Sequence, residues 1–213
     1  MAEGQPCRVV LADDHAIVRA GVRAALEETG RYIIVEEAAT GLSALAEARV
    51  HQPDLILLDA AMPMGSGLEI LEELRRWCPQ TCIVVLTGLT SRGVLRFVQA
   101  AGADGLFLKS DPPDIWVPLL DMLGKGGFIT SPAAAAALAE DVQTDGLSRR
   151  EMQVLLAVAR GEGNAAIAER LGISAKTVDK HRTSLMRKLG VHSVAELLAV
   201  ALREGLLDTA RHI

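Results

Sequence analysis

The chain has 213 residues, of which 50% are apolar and 3% aromatic, and a formal net charge of −5. That length holds one large domain or two ordinary ones with ample material for a core, and scarce aromatics with abundant Ala and Leu argue against an all-β sandwich. No apolar run approaches the roughly 20 residues of a membrane span, no basic and apolar leader opens the chain, and Cys7, Cys78 and Cys82 have neither a disulfide framework nor a metal spacing. The expectation is a soluble, cytoplasmic protein with reduced thiols. The charge is uneven. Residues 1–144 carry 11 Lys+Arg against 19 Asp+Glu, and residues 145–213 carry 11 against 8, so an acidic module is joined to one suited to phosphate.

In chain order, aliphatic runs at 8–14, 32–38, 54–59, 82–87 and 105–109 are strand candidates, and each is followed by a segment of helical period, near 16–29, 41–51, 67–78, 91–101 and 112–124. Strict alternation of strand and helix implies a five-stranded parallel sheet covered on both faces, whose strands read as continuous apolar runs. Pro118 lies inside the fifth helix and predicts a lost hydrogen bond and a kink there. Residues 125–146, with clustered glycines, a Ser-Pro and an alanine run, read as a linker with a short helix. From Leu147 onward only helices follow, near 148–160, 164–171, 175–189 and 193–204. Ser148 with Glu151 and Ser193 with Glu196 have capping-box spacing, and Gly161, Gly172, Gly190 and Gly205 stand at helix stops.

In a parallel sheet, ligands gather beyond the carboxyl ends of the strands. Those ends read Asp13-Asp14, Asp59, Thr87 and Lys109. Clustered carboxylates need a cation or shifted pKa values, and an oxygen-only donor set suits Mg²⁺. A carboxylate beside such an ion can attack a phosphoryl group while an ammonium and a hydroxyl steady its oxygens.

Asp-Asp after strand one, Asp-Ala-Ala-Met-Pro after strand three, Thr after strand four and Lys-Ser after strand five make residues 7–124 resemble the receiver domain of bacterial two-component response regulators. The resemblance implies that Asp59 is the phospho-acceptor and that Asp13, Asp14, Asp59 and the backbone carbonyl of Ala61 hold Mg²⁺. It also implies that Thr87 and Lys109 engage the phosphoryl oxygens and that a histidine kinase is the donor. Three departures stand out. Leu106 occupies the switch position where the family commonly has an aromatic, with Phe107 beside it; the loop Met62-Pro-Met-Gly-Ser-Gly67 lacks the usual acid; and Gly88 follows the threonine.

On the helix Ala175–Leu189, Lys176, Lys180, Thr183 and Arg187 fall on one stripe opposite Val178, Leu185 and Leu189. A preceding short helix and the turn Gly172-Ile173-Ser174 complete a helix-turn-helix pattern, with Ser174 as the cap. The stretch 147–191 resembles the LuxR-type DNA-binding domain, through its L-S-x-R-E start, I-A-x-x-L, S-x-K-T-V-x-x-H-R and M-x-K-L-G. By that resemblance Lys176 and Thr177 reach phosphates and Lys180, Thr183 and Arg187 lie in or beside the major groove. Asp179, an acid where lysine is frequent, is a specificity candidate.

The two resemblances together are those of the NarL/FixJ response regulators: an α/β receiver domain of flavodoxin-like type at 1–124, a linker at 125–146 and an all-α helix-turn-helix domain at 147–213. They imply a signalling switch rather than a turnover enzyme. Its cofactor is Mg²⁺. Its partners are a sensor histidine kinase and double-stranded DNA with paired half-sites, with a homodimer as the active form, RNA polymerase as a further candidate and no membrane. The alternative is a phosphorylation-independent regulator whose receiver serves as a dimerisation scaffold.

Overall fold

The computed structural model describes residues 5–62, 67–88, 92–139 and 146–203. Along the chain lie β1 (Cys7–Ala12), α1 (Ala16–Glu27), β2 (Tyr32–Ala38), α2 (Gly41–His51), β3 (Leu55–Leu58), α3 (Gly67–Trp77), β4 (Cys82–Thr87), α4 (Arg92–Ala100), β5 (Gly105–Leu108) and α5 (Pro113–Trp116). A 3₁₀ segment (Val117–Met122), β6 (Ile129–Thr130) and α6 (Pro132–Ala139) follow, and then α7 (Arg149–Ala159), α8 (Asn164–Leu171), α9 (Ala175–Leu189) and α10 (Val194–Arg203). The chain divides into two compact units, one built on the sheet and one on the last helices.

All strands pair in parallel, in the order β2-β1-β3-β4-β5-β6. Because side chains alternate across a strand, Val9, Leu11, Leu55, Leu57, Val84, Leu86 and Phe107 meet α1, α5 and the 3₁₀ segment through Val22, Leu26, Trp116 and Leu120. Their neighbours Val10, Ile56, Leu58, Ile83, Val85 and Leu106 are buried on the other face. Double-faced burial explains why the strands read as unbroken apolar runs. At the amino ends of the strands, Arg75 donates to the carbonyls of Thr81 (2.9 Å) and Gly102 (2.7 Å) and pairs with Asp104 at 2.6 Å, tying α3 to β4 and β5.

The sheet corrects one expectation: it has six strands, not five. β6 lies within the segment 125–146 expected to be linker, beside β5, with Ile129 N donating to Asp104 O and Ser131 N to Leu106 O. Gly105 is what allows the approach, since a Cβ there would stand 3.2 Å from the Ile129 carbonyl and 3.3 Å from Val84. The expected break at Pro118 is present. The α-helix stops at Trp116 and the chain tightens into the 3₁₀ segment, because proline offers no N–H to continue the ladder.

In the second unit, Ser148 and Glu151 form the expected reciprocal capping box. Gly172 and Gly190 end α8 and α9 in the left-handed conformation, at φ 63° and 66°. Both α8 and α9 keep their expected bounds. Gly205, and the loop positions Pro63 to Ser66, lie outside the described residues.

Candidate functional site

The order β2-β1-β3 places the switch point between β1 and β3, where helices leave to opposite faces and a crevice opens beyond the strand ends. The rim is fixed by main-chain bonds: Asp13 N donates to Ala38 O (3.0 Å), Asp59 N to Ala12 O (2.8 Å) and Lys109 N to Thr87 O (2.9 Å). These bonds bring the ends of β1, β3, β4 and β5 into line. Asp13 and Asp59 are only 2% and 3% exposed, and Thr87 is fully buried. Lys109 reaches in from β5, its Nζ 2.6 Å from Asp13 Oδ2 and 3.1 Å from Asp59 Oδ2. Ala61 N donates to Asp59 Oδ1 at 3.3 Å, and His15 N to Asp13 Oδ1 at 2.9 Å.

Burial pushes the Asp59 carboxyl up; Lys109 opposes this and the neighbouring Asp13 adds to it, leaving the value raised. For Lys109, burial alone would disfavour the ammonium, but Asp59 and Asp13 outweigh it and the value ends above the ordinary one. Three carboxylates therefore face one ammonium, an excess of two negative charges when all are ionised. Ligand oxygens of Asp13, Asp14 and Asp59, with a nitrogen of His15, all lie within 4.8 Å of one another. Oxygen donors this close, with a double charge to offset, fit a hard divalent cation such as Mg²⁺.

The second unit holds a different arrangement. Ser174 Oγ accepts from Thr177 N at 3.1 Å and starts α9 at the turn after α8. Val178, Leu185 and Leu189 bury their side of α9, leaving Lys176, Asp179, Lys180, Thr183 and Arg187 exposed and Thr177 half-buried, its hydroxyl 2.8 Å from Ser174 Oγ. Nearby cations are engaged: Arg160 and Arg170 pair with Glu162, and Lys188 with Glu151 at 2.7 Å. Among the described residues, Lys176, Lys180 and Arg187 have no ion pair or side-chain hydrogen bond.

Residues 9–117 match the model of the response regulator receiver domain, and residues 145–201 match that of the bacterial regulatory proteins of the luxR family. The chain is a response regulator of the NarL/FixJ family. This regulator is 34% identical to the oxygen regulatory protein NreC of Staphylococcus carnosus, over 94% of its own length and 99% of that relative, and 33% identical to NreC of Staphylococcus aureus. Among solved structures it resembles RcsB of Salmonella enterica serovar Typhimurium bound to promoter rprA in the presence of the phosphomimetic BeF3⁻, with a TM-score of 0.78 and 28% identity over 92% of this chain and 98% of that one. RcsB bound to promoter P1flhDC gives a TM-score of 0.79 at 27% identity. No helix among the regulator's described residues is long and apolar enough to cross a membrane.

Of the residues singled out in the sequence, the structure brings Asp13, Asp14, Asp59 and Lys109 together, with Thr87 and Ala61 bonded through the main chain to the same rim. Leu106 is buried in β5, and the adjacent aromatic points the other way: Phe107 stacks on Trp116, centroids 6.0 Å apart, across the sheet from Leu106. Two features went unread. His15 Nδ1 lies 2.9 Å from Asp14 Oδ1 and 3.4 Å from Asp13 Oδ1. Its position directly after the acid pair was the available signal. Lys188 ties α9 to the start of α7 across 37 residues of sequence, which no local spacing reveals.

Proposed function

We propose that the regulator is switched by phosphorylation of Asp59 and that the switch governs binding of the α9 face to DNA. The observation that carries this reading is the burial of Asp59 at the rim with Lys109 Nζ 3.1 Å away and Asp13 in the same cluster. An oxygen of Asp59 attacks phosphorus, the bond from phosphorus to the donor imidazole of a sensor histidine kinase breaks, and the electron pair leaves with the imidazole. Asp13, Asp14, Asp59 and the Ala61 carbonyl would hold Mg²⁺, whose charge offsets that of the transferred oxygens. Lys109, already shared between Asp13 and Asp59, moves its ammonium onto a phosphoryl oxygen, and the Thr87 hydroxyl donates to another. The acyl phosphate replaces a carboxylate that Lys109 was pairing, so the charge holding β5 to the rim is redistributed, which is the local event a two-state receiver needs.

In the second unit Lys176 and Thr177 are assigned to phosphates, and Lys180, Thr183 and Arg187 to the major groove and its edge, with Asp179 reading sequence. The exposed cations Lys176, Lys180 and Arg187 support this, as do the neighbouring RcsB structures, in which that protein is on promoter DNA. A homodimer on paired half-sites in the cytoplasm, working with RNA polymerase, completes the reading. A second reading, a regulator that works without phosphorylation, is favoured by Leu106, whose aliphatic side chain is fully buried where the family's mobile aromatic would stand, and by the sequence of the 62–67 loop, which lacks the usual acid.

The test is intact mass after incubation with Mg²⁺ and a small phosphoryl donor or a phosphorylated kinase, beside sizing and DNA binding of the same samples. One added phosphoryl group, a shift toward dimer and tighter promoter binding are expected. DNA binding that is the same with and without the modification would establish the second reading instead.

A further inference from the structure

His15 is the N-cap residue of α1, yet its side chain makes no capping hydrogen bond. Residues at that position usually use a side-chain acceptor to satisfy an orphan N–H of the first turn. Here the imidazole is turned toward the acids. Asp13 divides its two oxygens: Oδ2 takes Lys109, while Oδ1 accepts His15 N at 2.9 Å and lies 3.4 Å from His15 Nδ1. The same nitrogen stands 2.9 Å from Asp14 Oδ1, and a ring nitrogen of His15 lies within 4.8 Å of a ligand oxygen on each of Asp13, Asp14 and Asp59. One nitrogen donor thus borders a pocket whose other donors are carboxylate oxygens, on the side that Lys109 does not occupy.

The two donor types do not serve all cations alike. Mg²⁺ takes oxygen ligands in tight octahedral geometry and gains little from an imidazole, whereas Mn²⁺, Co²⁺ and Ni²⁺ gain progressively more from it. We infer that His15 is a nitrogen donor to the acid pocket, and that it gives this receiver a selectivity for transition-metal dications over Mg²⁺ that its aspartates alone would not produce. The inference rests on the reading of the pocket as a divalent-cation site. It makes the pocket's cation a variable of the cell's metal supply, with His15 as the residue that sets the preference.

A merely electrostatic His15, paired with Asp14 and competing with any cation, makes the opposite forecast, because its removal would tighten all dications alike. The full chain carrying His51→Ala is the background, since Glu36, Glu47 and His51 form another group able to bind a metal. On it, Mg²⁺ and Ni²⁺ are titrated calorimetrically with and without His15→Ala, and with His15→Asn as a second variant that supplies a capping side chain in place of the imidazole. Pulsed electron paramagnetic resonance of the Mn²⁺-loaded proteins reads nitrogen coupling directly. The expected result is a fall of about tenfold or more in the ratio of Ni²⁺ to Mg²⁺ affinity, with Mg²⁺ affinity changed by less than about twofold and the nitrogen coupling lost. An unchanged ratio, or equal tightening of both ions, overturns the role of His15 while leaving the pocket intact. Absence of saturable Mg²⁺ binding in the parent protein overturns the pocket itself and the inference with it.

Discussion

The pocket on the sheet rim buries its charges, and α9 leaves its charges in water. Asp13 and Asp59 sit on strand ends with main-chain bonds fixing their positions, and Lys109 is held between them at 2.6 and 3.1 Å. Lys176, Lys180 and Arg187 stand on an exposed helix face, with no ion pair or side-chain hydrogen bond among the described residues. In the first case each group depends on the next, since an unpaired buried charge is costly, and one substitution disables the set. In the second the charges act nearly one at a time, and their worth falls with ionic strength. Burial makes a site that is either assembled or absent; exposure makes a surface whose affinity is graded.

Asp59→Ala is the hardest test of that difference. It should abolish phosphoryl uptake altogether, as read by intact mass, and uptake by this variant at the parent rate would move the acceptor elsewhere. Next in size is Glu151, a buried acid in the helical unit that behaves like those of the pocket. Burial would raise its carboxyl, but Lys188, the Ser148 main chain and the hydroxyls of Ser184 and Ser148 together hold it down at about 2. Its folded value lies below its unfolded one, so the stability it contributes is present above pH 4.5 and is lost as pH falls toward 2. With its partner Lys188 partly exposed and screened by solvent, the contribution is on the order of 1 kcal/mol. Thermal melts of the parent and Glu151→Gln should therefore differ at pH 6 and converge by about pH 2; a constant gap across that range would take Glu151 out of the account. Smallest is Lys180→Ala. It should weaken promoter binding about tenfold at low salt and lower the salt slope by about 1. An intact slope would remove Lys180 from the DNA backbone and sharpen the contrast to a narrower stripe.

What could be read from the sequence follows the same division. Strands buried on both faces announce themselves as aliphatic runs, and the rim acids follow because they end those runs. The amphipathic period of α9 gave both its bounds and its exposed face. The misses are short or non-local. β6 has two residues, too few for any period, and follows Gly126 and Gly127, both at φ 90°, which read as a linker. The capping box at the start of α2 uses Thr40 with Ser43, where the spacing rule looks for Glu or Gln. Phe107 stands beside the switch position Leu106 in sequence, and only the alternation of β5 shows that it faces Trp116 and the α5 side.

That stack gives the molecule a built-in optical readout. The chain has two tryptophans: Trp77 is 45% exposed beneath the Arg49 guanidinium, and Trp116 is 2% exposed against Phe107, two residues before the lysine that grips Asp59. Water-exposed indole emits to the red and quenches readily, while enclosed indole emits to the blue and resists quenchers. The blue component therefore belongs to β5 and α5. Its intensity follows the packing of the strand that carries Lys109, without any label and in the intact chain.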